Sequence, residues 1–72
     1  MEYPELNVPY RHYKGGLYEV ITLAKCKERN ITVVVYKSLL FGTVYTRPLS
    51  EWFDKVKKET GTFLYTRFEK VK

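Results

Sequence analysis

Hydrophobic and polar residues alternate along most of this chain, and that period of two is the signature of half-buried strands. Tyr10 to Tyr13 reads as a short strand, and Lys14-Gly15-Gly16 as a tight turn, because paired glycines supply the positive φ that a hairpin needs. Leu17 to Lys25 is a second strand, dense in Leu, Tyr, Val and Ile. Cys26 to Asn30 is a polar loop. Ile31 to Ser38 is a third strand and the strongest β signal, since Ile31, Thr32, Val33, Val34 and Val35 are all β-branched. Leu39 to Gly42 is a turn or short crossover. Thr43 to Arg47 is a fourth strand, which Pro48 stops.

One segment changes period. Leu49, Trp52, Phe53 and Val56 fall on one helical stripe, Ser50 suits an N-cap, and Glu51 lies in the first turn. Lys55, Lys57 and Lys58 suit the C-terminal end, and Gly61 stops the segment. The pattern predicts a short helix there, followed by a fifth strand from Thr62 to Lys70. Residues 1–9 hold two prolines and no periodicity, which reads as an extended lead-in. Five short strands and one helix predict a small, highly curved antiparallel sheet closed as an SH3-like barrel over residues 10–72, with Trp52 and Phe53 plugging one end.

Length supports a single domain, since 72 residues cannot close a second core. Aromatics at 17% exclude wholesale disorder, and no apolar run approaches a membrane span. Thirteen Lys and Arg against eight Asp and Glu give a net charge of +5. Residues 10–48 carry seven bases and two acids, so the excess sits on the strand-rich body. A basic body favours anionic partners, and it also serves solubility. One cysteine cannot form an internal disulfide, and the first residues lack the pattern of a signal peptide, so a cytoplasmic location is expected.

The run Tyr10-Arg11-His12-Tyr13-Lys14-Gly15 is followed by Leu17-Tyr18-Glu19-Val20, then Val34-Val35-Tyr36, then Arg47-Pro48 and Phe53. In this order and spacing the chain resembles the domain of unknown function 1653 family, short bacterial and phage proteins. The resemblance covers about residues 10–72. It implies a small β-barrel and no assigned activity. Members usually carry a second histidine, followed by Ser-Glu, after the second strand. Here Cys26-Lys27-Glu28 stands in that place.

Candidate chemistry centres on a repeated tripeptide. Tyr45-Thr46-Arg47 and Tyr65-Thr66-Arg67 are identical, and Arg11-His12-Tyr13 gives the same pair in reverse. Strand positions two apart share a face. With Val44, Thr46, Leu64, Thr66, Phe68, Tyr10 and His12 turned inward, the Tyr and Arg side chains form an outward face. Tyr rings stack on bases and Arg grips phosphate oxygens in pairs. The expected ligand-binding set is therefore Arg11, Tyr13, Lys14, Tyr45, Arg47, Tyr65 and Arg67. The same residues also serve simply to cover a barrel with buried stems and wet tips. Glu19 shares its parity with Leu17 and Ile21, so the second strand needs a bulge or a two-sided environment.

Other features point to less. Lys25, Lys27 and Arg29 form either a basic comb or a solvated loop. His12, the one histidine, reads as a hydrogen-bonded structural residue. One His and one Cys supply no usual metal set, no nucleotide fingerprint occurs, and no cofactor is expected. Cys26 has basic neighbours but no positioned base. Leu39, Leu40 and Phe41 either close the barrel or meet a partner, with a homodimer as one solution. The favoured expectation is a non-enzymatic binding module for RNA, DNA or a small nucleotide. A protein-interaction adaptor and a homo-oligomeric, phage-type nucleotide sponge are the alternatives. A small hydrolase ranks last because acid–base groups are scarce.

Overall fold

The computed structural model describes residues 3–57 and 64–71. Its strands are β1 (Pro9–His12), β2 (Leu17–Cys26), β3 (Ile31–Ser38), β4 (Val44–Pro48), β5 (Lys55–Lys57), β6 (Leu64–Thr66) and β7 (Phe68–Lys70). Five of them form one antiparallel sheet in the order β4-β3-β2-β1-β7, while β5 and β6 pair as a separate antiparallel ribbon. No described helix is long and apolar enough to cross a membrane.

Local chemistry sets the hairpins. Gly15 and Gly16 have φ of 101° and 89°, a region open to glycine, and they bring β1 back onto β2. His12 N–H donates to Gly16 C=O (3.1 Å), and Gly15 N–H donates to His12 C=O (2.8 Å). At the β3–β4 tip, buried Ser38 organises the turn: its Oγ accepts from Phe41 N–H at 3.1 Å, and its C=O accepts from Gly42 N–H at 2.8 Å. The register of β2 on β3 shifts between Val20 and Thr22, so a bulge at Ile21 interrupts the ladder. Glu19 shares the outward face with Leu17 and Ile21, and inward alternation is reset only after them, by the bulge. The bulge leaves Val20 buried before the break and Leu23 half-buried after it, with Leu17 and Ile21 outside.

The core lies on one side of the sheet. Tyr10, Val20, Val34, Tyr36, Leu49, Trp52 and Phe68 are buried together, flanked by Val8, Tyr18, Leu23 and Phe53. Trp52 is 0% exposed and stacks on Phe68 with ring centroids 3.9 Å apart. Tyr10 and Tyr36 meet it edge-on at 5.4 and 5.1 Å. Such a cluster of rings is how a short chain gains burial from few residues. The lead-in folds against the sheet: Asn7 N–H donates to Val20 C=O (3.0 Å), Glu5 N–H to the Tyr10 hydroxyl (2.9 Å), and Glu5 pairs with Lys70.

Three expectations need correction. First, no closed barrel forms among the described residues, because β4 and β7 are the two ends of the strand order. The gap between them is spanned by side chains, with the Arg47 guanidinium 5.8 Å from the Phe68 ring centroid. Second, the predicted helix is only a 3-10 turn over Leu49–Glu51, followed by strand β5. Pro48, not Ser50, holds the cap position, and it offers no side-chain cap bond. Leu49 and Trp52 are buried by that one turn, after which Lys55-Val56-Lys57 alternates as a strand does and pairs with β6. Third, the predicted strand from Thr62 to Lys70 breaks at Arg67. Its N–H turns to Asp54 C=O (2.8 Å) and its C=O accepts from Tyr13 N–H (3.0 Å), which ends β6 and starts β7 in the other sheet. Thr62, like Gly61, lies outside the described residues.

Candidate functional site: an aromatic cleft at Arg47

Residues directly opposite in an antiparallel pair project to the same side. Tyr45 stands opposite Tyr36, and Arg47 stands opposite Val34. Tyr36 and Val34 are core residues, so Tyr45 and Arg47 lie on the core side of the sheet. This corrects the expected parity of β4: Val44 and Thr46 are the outward pair, and Val44 is 55% exposed. The physical reason is the open edge. Past the last strand no neighbouring strand among the described residues covers the core, and long amphipathic side chains do that with their stems while keeping polar tips near water.

The result is a cleft of about 280 Å3 lined by His12, Tyr18, Tyr36, Tyr45, Arg47 and Phe68. Tyr18 meets Tyr36 and Tyr45 edge-on, with centroids 5.6 and 6.3 Å away. Arg47 reaches Glu51 weakly, at 3.4 Å, and its Nε is buried with no hydrogen-bond partner among the described residues. A buried guanidinium donor left unpaired is costly.

His12 forms the wall shared with a second cavity, of about 350 Å3, lined by Arg11, His12, Tyr13, Lys55, Tyr65, Thr66 and Glu69. Its ring lies 4.7 Å from that of Tyr13 and 4.8 Å from that of Phe68. Lys14 N–H donates to His12 Nδ1 at 3.2 Å, which places the proton of the neutral ring on Nε2. Burial, and then the positive charges of Arg47, Arg67 and Lys14, hold this imidazole below its ordinary pKa. The neutral ring, a donor through Nε2–H, is therefore favoured.

The expected ligand-binding set divides between these two cavities. Tyr45 and Arg47 enter the aromatic cleft, while Arg11, Tyr13 and Tyr65 line its neighbour. Lys14 sits over the Tyr13 ring, 5.7 Å from its centroid. Arg67 is engaged by Asp54 through two bonds, of 2.7 and 3.3 Å, and this pairing raises its pKa. One continuous outward Tyr/Arg face does not form. The cations still converge, since Arg47, Arg67 and Lys14 all act on His12. Leu39, Leu40 and Phe41 stand at the β3–β4 tip and are exposed, so they close no barrel. Among the described residues no cluster of His, Cys, Asp and Glu is placed to hold a metal ion.

Residues 8–70 match the family described as Protein of unknown function (DUF1653). The chain belongs to the DUF1653 family. A crystal structure of a DUF1653 protein from Bordetella bronchiseptica is similar to it, with a TM-score of 0.74 and 36% identity, covering 89% of this chain and 83% of that one. No curated protein matches. The position where the resemblance implies a second histidine, Cys26, ends β2, about 25 Å along the strand from Tyr18. Chemistry that depended on that histidine would thus sit away from the cleft of this DUF1653 chain.

Sequence reasoning missed Tyr18, Tyr36, His12 and Phe68 as cleft walls. A signal for Tyr18 was present. Counting back from the Gly15-Gly16 turn pairs Arg11 with Leu17 and Tyr10 with Tyr18, which sets Tyr18 on the Tyr10 side.

Proposed function

We propose that the chain is a non-enzymatic binding module for an anionic ligand that carries a planar ring, of the kind nucleic acid or a small nucleotide offers. The observation that carries this reading is the Arg47 guanidinium, whose buried Nε has no partner among the described residues, beside the rings of Tyr18, Tyr36 and Tyr45. Each ring that stacks on a base contributes roughly 1–3 kcal/mol. The guanidinium adds a charge-assisted bond to a phosphate oxygen. A positive net charge of +5 steers anions toward the surface. Binding rather than turnover is favoured because the lone pair of the one histidine, at Nδ1, is taken up by a backbone N–H, which leaves no free base on the ring. A cytoplasmic site of action belongs to the same proposal.

The test is a titration of labelled single-stranded DNA and of ATP at rising salt, with Tyr45→Ala and Arg47→Lys compared to the unaltered chain. Affinity should fall with salt and fall again, about tenfold, in each variant, since a lost stacked ring is worth roughly 1–3 kcal/mol. Unchanged affinity in both variants, with their melts intact, would remove the cleft from consideration. A protein-interaction adaptor is the second reading, favoured by Leu40 and Phe41 at 80% and 77% exposure on the β3–β4 tip. It predicts capture of a protein partner that Leu40→Ser abolishes and Tyr45→Ala leaves intact.

A further inference from the structure

The rings do not stop at the cleft. Tyr13 leads to His12 (4.7 Å), His12 to Phe68 (4.8 Å), Phe68 to Tyr36 (5.4 Å) and Tyr36 to Tyr45 (5.7 Å). This track crosses from one cavity to the other through His12. Cations flank it along its length: Lys14 over Tyr13, Arg67 acting on His12, and Arg47 over Phe68. Phe68 and Tyr36 in the middle of this track are buried, so bases can stack only at its accessible ends, Tyr13 and Tyr45, with cations beside them for the backbone.

Size points the same way. Ligand pockets run from about 300 Å3 upward, so each of these cavities is at the small end for a separate ligand. The two share His12 as a lining residue, and their combined volume suits two consecutive units. We propose that the ligand is single-stranded nucleic acid, with adjacent nucleotides occupying the Arg47 cleft and the Arg11–Lys55 cavity on either side of His12. This rests on the reading given under Proposed function and narrows it from any ring-bearing anion to a strand. The cavities divide the work. The Arg47 cleft is walled by rings and one cation. The second cavity adds two exposed cations, Arg11 and Lys55, for the backbone, and Tyr13 and Tyr65 for the base. Glu69, the carboxylate among its lining residues, suits a base amino edge. The neutral His12, its proton on Nε2, can donate to a phosphate oxygen without first taking up a proton.

The test compares fluorescent mononucleotides, dinucleotides and hexanucleotides of thymidine and of cytidine in equilibrium titrations. The dinucleotide should bind about tenfold or more tighter than the mononucleotide, the gain expected from one further stacked base. The Arg11→Ala/Lys55→Ala double variant changes two exposed residues, so its melt should match the unaltered chain. It should lose that dinucleotide gain and show a salt slope smaller by about one to two, the share of two phosphate contacts on a single strand. Tyr45→Ala should weaken both ligands. Equal affinity for mononucleotide and dinucleotide, or indifference of the double variant, overturns the two-nucleotide track and leaves the simpler binding module standing. No binding of any nucleotide overturns both.

Discussion

Trp52 offers the sharpest test of the fold, because two opposed effects meet on one ring. It is fully buried, stacked on Phe68 and met edge-on by Tyr10 and Tyr36. Cutting it to alanine removes that packing and leaves a cavity, a change that costs about 3–5 kcal/mol in a core. A domain of this length has only about 4–11 kcal/mol in total, at roughly 0.05–0.15 kcal/mol per residue. Trp52→Ala should therefore unfold much of the population at moderate temperature. Trp52→Phe behaves differently. It deletes two ring carbons, worth about 1.6 kcal/mol at ~0.8 kcal/mol per buried carbon. It also deletes the indole N–H, which is buried with no partner among the described residues, and that recovers roughly 1–3 kcal/mol. The net change should lie within about 1 kcal/mol of zero, or a melt shift under about 8 °C. Urea unfolding followed by far-UV circular dichroism is the assay, since the chain has one Trp and its fluorescence disappears with the substitution. The slope with urea should stay constant, so that midpoints report stability alone. A Trp52→Phe loss above about 3 kcal/mol, near that of alanine, would show that the N–H has an acceptor and that the core is misdescribed.

Three further outcomes follow from named contacts. His12 is held below its ordinary pKa of about 6.5 by burial, Arg47, Arg67 and Lys14, so the unfolded chain binds a proton that the folded chain refuses. Stability is then full above that value and is lost as pH falls below it; His12→Gln should flatten a melting profile between mild alkali and mild acid, and an unchanged slope would refute the assignment. A Cβ at Gly16 would lie 3.3 Å from the Tyr18 ring, on a backbone with φ of 89°, so Gly16→Ala should cost about 1–2 kcal/mol in a urea melt, and a neutral result would show that the hairpin relaxes. Leu40 and Phe41 are exposed, so Leu40→Ser/Phe41→Ser should leave the melt within about 0.5 kcal/mol, and a large loss would place them in a core instead.

How far residues alone reveal this molecule depends on which force decides each element. The first three strands and the Gly15-Gly16 turn were legible because their alternation and turn chemistry agree with the final packing. The bulge was legible as a conflict at Glu19, though not its place at Ile21. The helix was not. Leu49, Trp52, Phe53 and Val56 satisfy a helical stripe, but only one turn is needed to bury Leu49 and Trp52, and the ribbon with β6 then competes for Val56. Parity on β4 failed for a related reason. Val44 looked like core and Tyr45 like surface, which is right for a closed barrel and wrong at an open edge, where tall amphipathic side chains must reach across. Closure is a long-range property that no local pattern encodes. The site inherited that error. Tyr45 and Arg47, expected on the outward face, lie on the core side of the sheet beside Tyr36 and Phe68.

Tyr36 and Phe68 belong both to the buried cluster and to the lining of the cleft. A substitution at either changes folding and binding together, and lost binding there would carry no information about contact with a ligand. Tyr45 is 43% exposed and lies at the open end of the same ring track, where its removal forfeits little packing. It is therefore the position at which the two roles separate. The coupling also runs in the other direction. A ligand seated on rings that belong to the core binds the folded chain and has nothing comparable to bind in the unfolded one. It must stabilise the fold by mass action, by about 2.7 kcal/mol at a hundredfold excess over its dissociation constant. For a domain of this size such an increment is worth roughly 10–20 °C of melting temperature. A strand that binds the cleft without raising the melt would be touching the basic surface and not the rings.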